Sequence, residues 1–170
     1  DILKIASTRL VSHGLKNYKI VANLPYYITS PVIRKFLEIK NKPEFMVLMV
    51  QKEVAQRICA KSPHMNLLAV AVQFYAHPEI INYVSRNSFW PQPKVDSAII
   101  KIKPLNHAEL SGTNAENFFR LVRAGFSSKR KMLKNNLKID ESILKKIGLN
   151  PKIRAENLTI NDWLKLYKMI

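Results

Sequence analysis

An amide, a proline and an aromatic ring follow directly on a run of apolar residues: Ile20-Val21-Ala22 leads into Asn23-Leu24-Pro25-Tyr26, and a helix-like segment comes next. An apolar strand running into Asn-x-Pro-aromatic sets a polar amide, a rigid turn and a ring together at a strand's carboxyl end. In open α/β sheets that edge is where ligands bind. A second segment, Phe89-Trp90-Pro91-Gln92-Pro93-Lys94-Val95-Asp96-Ser97-Ala98, supplies another aromatic at a stiff, proline-held turn. Two rings on rigid turns, one beside an amide, suit a pocket for a flat base extruded from a nucleic acid. Taken singly, each segment fits ordinary core aromatics equally well, and Asn23 fits a turn cap; the two together favour the pocket. Tyr27 is expected to pack, because neighbours at a turn point in different directions. Trp90 is expected to be partly buried rather than to act as an RNA contact or a lid.

Residues 126–138 contain Lys129, Arg130, Lys131, Lys134 and Lys138 and no acidic residue. On a helix, Lys131, Lys134 and Lys138 share one face, while Met132, Leu133 and Leu137 turn to a core. Such a face grips phosphates without reading sequence; a merely solvated basic face is the alternative. The four histidines show no metal-ligand spacing, so no metal site is expected. Cys59 is the single cysteine and fits a reducing, cytoplasmic compartment.

Charge narrows the partner. The 170 residues carry 28 Lys and Arg against 12 Asp and Glu, a net +16. Residues 1–104 hold 15 basic and 6 acidic side chains, and residues 105–170 hold 13 and 6, so neither part is neutral. An excess of this size favours polyanions through counterion release. Nucleic acid is therefore the expected partner. A membrane is not, since no cationic amphipathic helix with an aromatic face is evident. Self-repulsion favours a monomer.

The elements that must hold these groups read as α/β, then all-helical. Ile2 to Ala6 reads as a strand end or the loop after one. Tyr18–Leu24 and Phe45–Val50 read as buried strands. Between them Ser30-Pro31 starts a helix, with serine as the cap and Val32, Ile33, Phe36 and Leu37 at helical spacing. A helical stretch over Glu53–Ala60 follows. Leu67–Tyr75 is apolar enough for a core helix, although period alone does not exclude a strand. Glu79–Val84 and Ala98–Ile102 read as strands around the Phe89 turn, the second with one exposed face. Further helices are expected over Ala115–Gly125, Lys129–Lys138, Glu141–Ile147 and Asn161–Ile170, with Gly148 closing the third and Thr159-Ile160-Asn161-Asp162 opening the last. The division is 1–104 for a partial Rossmann-like domain, 105–113 for a linker and 114–170 for a helical domain.

These residues also carry a resemblance. Asn23-Leu24-Pro25-Tyr26, the Phe-x-Pro-x-Pro-Lys-Val-Asp-Ser-Ala segment, Phe126-Ser127-Ser128-Lys129-Arg130-Lys131 and Arg154-Ala155-Glu156-Asn157 resemble, in order, the signatures of the ribosomal RNA small-subunit adenine dimethyltransferases (the KsgA type). The resemblance implies the C-terminal part of a Rossmann-like class I methyltransferase sheet followed by a small all-helical domain. It implies S-adenosylmethionine-dependent dimethylation of adenosine N6 in small-subunit rRNA, or in an assembly intermediate of that subunit. By the same resemblance Asn23 Oδ1 and the Leu24 carbonyl accept the amine's hydrogens, and Tyr26 and Phe89 cover the two faces of the base. Pro25 stiffens the turn. Asp1, with Asn23, lies towards the cofactor, and the basic residues from Lys129 to Lys138 engage rRNA in an RNA-docking domain. Arg154 and Glu156 are expected to pair within that domain.

The family's glycine-rich cofactor loop has no counterpart among Gly14, Gly112, Gly125 and Gly148. The chain is accordingly expected to be a shortened form that binds S-adenosylmethionine weakly and does not turn over alone. A large-subunit rRNA methyltransferase of the Erm type shares the Asn-x-Pro-Tyr logic. A non-catalytic rRNA-binding assembly factor on the same scaffold is the reading from another class.

Overall fold

The computed structural model describes residues 2–4, 17–105 and 112–170. Two compact units divide the chain: residues 1–59 with 75–109, and residues 60–74 with 110–170. Residues 60–74 thus group with the helical segment rather than within the sheet unit, where the sequence division at 104 put them.

The first unit is built on four strands: β1 (Lys19–Asn23), β2 (Phe45–Gln51), β3 (Ala76–Val84) and β4 (Ser97–Pro104), in the order β1-β2-β4-β3. β1 pairs with β2 in parallel, while β4 runs antiparallel to both β2 and β3. Three strands therefore point one way, and a reversed strand is inserted between two of them. Facing pairs Met46–Ile102, Leu48–Ile100 and Val50–Ala98 are all fully buried. This is the alternation expected when one face of a sheet carries the core. Pro78 is accommodated because β3 lies at an edge of the described sheet, where a missing N–H breaks no ladder on the free side.

Helix α1 (Thr29–Glu38) links β1 to β2 and buries Val32, Ile33, Phe36 and Leu37, at the spacing read from the sequence. Its start differs from expectation. A 3-10 turn over Tyr26–Ile28 runs straight into the helix, so Ile28 occupies the cap and Ser30 lies inside the first turn. Pro31 still falls where N–H groups need no intrahelical partner. Helix α2 (Lys52–Ile58) follows β2 and buries Ala55 and Ile58. β1 is less covered than a buried strand, with Val21 77% exposed. At the amino end the described residues Ile2–Lys4 form a 3-10 turn.

The second unit holds α3 (Leu67–Gln73), α4 (Ala115–Gly125), α5 (Leu133–Leu137), α6 (Glu141–Lys146) and α7 (Ile160–Met169). Its centre is aromatic. Phe74 stacks on Phe118 at 4.5 Å, Phe119 and Tyr167 meet Phe118 edge-on, and Trp163 stacks on Phe126 at 5.6 Å. Side-chain caps begin most of these helices: Asn66 for α3, Asn114 for α4, Asp140 for α6 and Thr159, with Asp162 closing a capping box, for α7. Gly148 ends α6 at φ +78°, with its N–H on Lys145 O and that of Leu149 on Leu144 O.

The expected helix from Lys129 to Lys138 is not formed as such. Lys129–Lys131 belong to a turn, closed by the Lys131 N–H on Ser128 O, and only Leu133–Leu137 are helical. Tertiary bonds override helix propensity there. Leu133 N–H donates to Ile153 O, and Asn136 Nδ2 donates to both Gly125 O (2.6 Å) and Ser128 O (2.9 Å). Lys138 leaves the helix at φ 54°.

Candidate target-base site

Sheet topology decides what meets at the carboxyl edge. β1 ends there at Asn23, and β2 and β3 end there at Gln51 and Val84. Because β4 is reversed, its first residue, Ser97, lies on the same edge, in register with both Gln51 and Val84. The two signatures 66 residues apart in sequence (Asn23 and Phe89 heading them) therefore converge on the ligand-binding edge of the sheet.

A hydrogen bond joins them: the Tyr26 and Ser97 hydroxyls lie 2.8 Å apart. Ser97 is fully buried and Tyr26 half-buried, so the bond fixes a partly exposed ring against a closed wall. Asn23 is exposed, and neither its side chain nor the Leu24 carbonyl has a hydrogen-bond partner among the described residues. Among the described residues Asn23 caps no turn, the cap of the following 3-10 turn being Pro25. Pro25 N-caps the 3-10 turn, and its carbonyl accepts from Ile28 N–H. Two carbonyl-type acceptors are left presented beside an anchored tyrosine.

Phe89 is half-buried in an extended conformation at the end of a 3-10 turn over Arg86–Ser88. That turn is tied down by Asp96, whose carboxylate accepts from Arg86 N–H at 3.1 Å and faces Lys52 Nζ at 3.6 Å. The Arg86 N–H, together with the Lys52 cation, holds the Asp96 carboxyl below the usual carboxylate range. Asp96 and Ser97 are roles that sequence reasoning missed. Both stood inside the quoted signature, and an Asp-Ser pair opening a strand after a proline turn was the available signal.

Several expectations are corrected. Trp90 is 98% exposed rather than partly buried, and Tyr27 is 84% exposed rather than packed, since both project from turns away from the core. Arg154 and Glu156 form no ion pair with each other among the described residues. Their segment instead holds the 60–66 loop by backbone groups: Glu156 O accepts from Met65 N–H, and Asn157 O from the Ser62 hydroxyl. In the basic cluster, Lys129, Arg130, Lys131 and Lys138 are exposed and form no ion pair among the described residues. Lys134 is committed to Glu141 at 2.9 Å. The shared helical face expected for Lys131, Lys134 and Lys138 does not exist, because only Lys134 is helical.

Asp1, assigned towards the cofactor, lies outside the described residues. Of the described glycines, Gly112 and Gly148 adopt positive φ and Gly125 is closely packed against Trp163 and Leu133. Among the described residues no cluster of His, Cys, Asp or Glu could hold a metal, and no helix is long and apolar enough to cross a membrane.

The sheet, with one reversed strand set between strands that run the other way, is of the Rossmann-like methyltransferase type. Solved structures share it: a dimethyladenosine transferase from Plasmodium falciparum superposes over 88% of this chain and 65% of its own (TM-score 0.76, 30% identity). The 23S rRNA methyltransferase ErmE matches the fold over 99% of this chain and 69% of its own (TM-score 0.73, 22% identity). The chain belongs to the ribosomal RNA adenine dimethylase family, whose sequence profile matches residues 1–170. A ribosomal RNA small subunit methyltransferase A from Dehalococcoides mccartyi is 45% identical over 98% of this chain. One from Fusobacterium nucleatum is 41% identical over 99%. The chain spans 60% of the length of the first relative and 66% of the second.

Proposed function

We propose that this chain is the target-base side of an enzyme that dimethylates adenosine N6 in small-subunit ribosomal RNA. The observation that supports this reading is the pair of acceptors, Asn23 Oδ1 and Leu24 O, that have no hydrogen-bond partner among the described residues and stand beside a tyrosine anchored by Ser97. The lone pair of an adenine amine is delocalised into the ring. Two acceptors that take both amino hydrogens localise it and aim it at an electrophile, which is orientation and preorganised electrostatics rather than side-chain nucleophilicity. Tyr26 and Phe89 hold the base by its two faces. As the N6–methyl bond forms, the carbonyl dipoles of Asn23 and Leu24 stabilise the positive charge growing on N6 until its proton leaves to water. S-adenosylmethionine, when bound, would supply the electrophilic methyl, its sulfonium S–CH3 bond breaking to leave a neutral thioether. Asn23 and Asp1 are the groups assigned to its side of the site.

The residues after 113 serve as the RNA-docking domain, with Lys129, Arg130, Lys131 and Lys138 as phosphate contacts and Lys134 as a strut on Glu141. The protein acts as a cytoplasmic monomer. The test is Asn23→Ala in the full-length protein, assayed for methyl transfer to small and to large ribosomal subunits. Loss of about 100-fold or more in kcat, with RNA affinity changed only a few-fold, is expected. Transfer at an undiminished rate refutes the acceptor role, and preferential transfer to large subunits refutes the substrate.

A further inference from the structure

We infer that Trp90 is a stacking platform for an unpaired RNA base neighbouring the one that enters the Asn23 site, an inference that rests on the function proposed above. The chain has two tryptophans with opposite fates: Trp163 is fully buried, whereas Trp90 is 98% exposed. An indole left wholly in water has no part in the core, and the turn that presents it is rigid. Asn87 N–H donates to Ser85 Oγ, Ser88 N–H to Ser85 O, Phe89 N–H to Arg86 O, and Gln92 Nε2 to Asn87 Oδ1 at 2.6 Å. Arg86 N–H is fixed on Asp96, and Pro91 and Pro93 restrict the backbone on the carboxyl side of the indole. A ring held out on such a turn loses little freedom when it is covered.

Its surroundings specify the occupant. Residues 80–95 contain Arg86 and Lys94 and no acid. Both cations are exposed and form no ion pair among the described residues. The closest carboxylate along the chain, that of Asp96, is engaged by Lys52 and the Arg86 N–H. Asn87, Ser88 and Gln92 beside it are exposed and polar, and of the large apolar residues from 85 to 95 only Val95 is exposed with Trp90, too little for an apolar protein-docking patch. A fully exposed indole beside two cations that form no ion pair among the described residues is an arrangement that stacks bases and holds the phosphates beside them. Phe89, next in the chain, is assigned to the target base. Trp90 therefore takes a base flanking it.

Fluorescence tests this directly, because emission accessible to acrylamide belongs to Trp90, and a Trp90→Ala protein provides the blank. A short oligoadenylate is expected to quench that emission and shield it from acrylamide, whereas heparin, a polyanion without bases, binds without either effect. Trp90→Ala is expected to weaken oligoadenylate binding about 5- to 100-fold with an unchanged salt slope, and Trp90→Phe to retain most of the affinity. Neutralising Lys129, Arg130 and Lys131 is the contrasting control, since it reduces the salt slope. Undiminished binding by Trp90→Ala, or equal accessibility with and without RNA, overturns the inference while Asn23→Ala continues to report on the target-base site. Shielding before RNA is added also overturns it and points to a protein partner. A protein that binds no RNA at all defeats this inference and the proposed function together.

Discussion

Replacing Tyr26 with Phe removes one oxygen and should destabilise the protein more than removing its partner does. The Tyr26–Ser97 bond is 2.8 Å long and joins a half-buried phenol to a fully buried serine hydroxyl. In Tyr26→Phe the serine oxygen, fully buried in the native fold, is left with no other side-chain partner among the described residues. An unsatisfied buried hydroxyl costs about 1–3 kcal/mol. In Ser97→Ala the buried polar atom is gone, and the surviving phenol can turn its hydroxyl to water, so the loss is closer to the net value of a neutral hydrogen bond, about 0.5–1.5 kcal/mol. The double variant should resemble Ser97→Ala alone. Urea unfolding of the four proteins yields the cycle, and each kcal/mol should move Tm by roughly 2–4 °C in a chain of this size. Costs that simply add, or a Tyr26→Phe that is no worse than Ser97→Ala, would refute the buried-partner argument. The same variants separate stability from function: a loosened Tyr26 ring should weaken binding of an adenine base even under conditions where the protein is fully folded.

Gly125 ends α4 where an added Cβ would fall too close to Trp163 Cη2 and 3.1 Å from Leu133 Cδ1, both side chains being fully buried. Gly125→Ala therefore overpacks the second unit by about 1–3 kcal/mol despite its better helix propensity, and a Tm that holds or rises in a thermal melt would contradict the packing. Glu141 accepts from Lys145 Nζ at 2.8 Å and Lys134 Nζ at 2.9 Å, which hold its carboxyl at about 2, below its ordinary 4.5. A depressed carboxyl stabilises the fold above its unfolded value and loses that contribution as pH falls towards its folded value. Glu141→Gln should accordingly lower Tm at pH 7, with the gap closing between about pH 4.5 and pH 2 and shrinking in high salt; a pH-independent gap would count against the pairing.

Much of this protein could be read along the chain because its signals are local. Val32, Ile33, Phe36 and Leu37 mark a buried helix face by spacing alone, and Thr159 with Asp162 or Gly148 mark helix ends by chemistry that acts within one turn. Asn23-Leu24-Pro25-Tyr26 was legible for the same reason, since a strand, an amide and a rigid turn are contiguous. Which groups share the site was not, because that depends on the direction of β4. Its reversal between β2 and β3 carries Ser97 to the edge where Asn23 lies, and no property of residues 89–98 alone specifies that neighbour. Long-range bonds likewise replaced the helix expected from Lys129: Leu133 pairs with Ile153 and Asn136 clasps Gly125 and Ser128, contacts whose partners exist only once the chain is folded. Composition established a charge of +16. Tertiary structure alone decided that Lys134 is spent on Glu141 while Lys129, Arg130 and Lys131 stand exposed, because a charge is available to a partner only where folding has not already paired it.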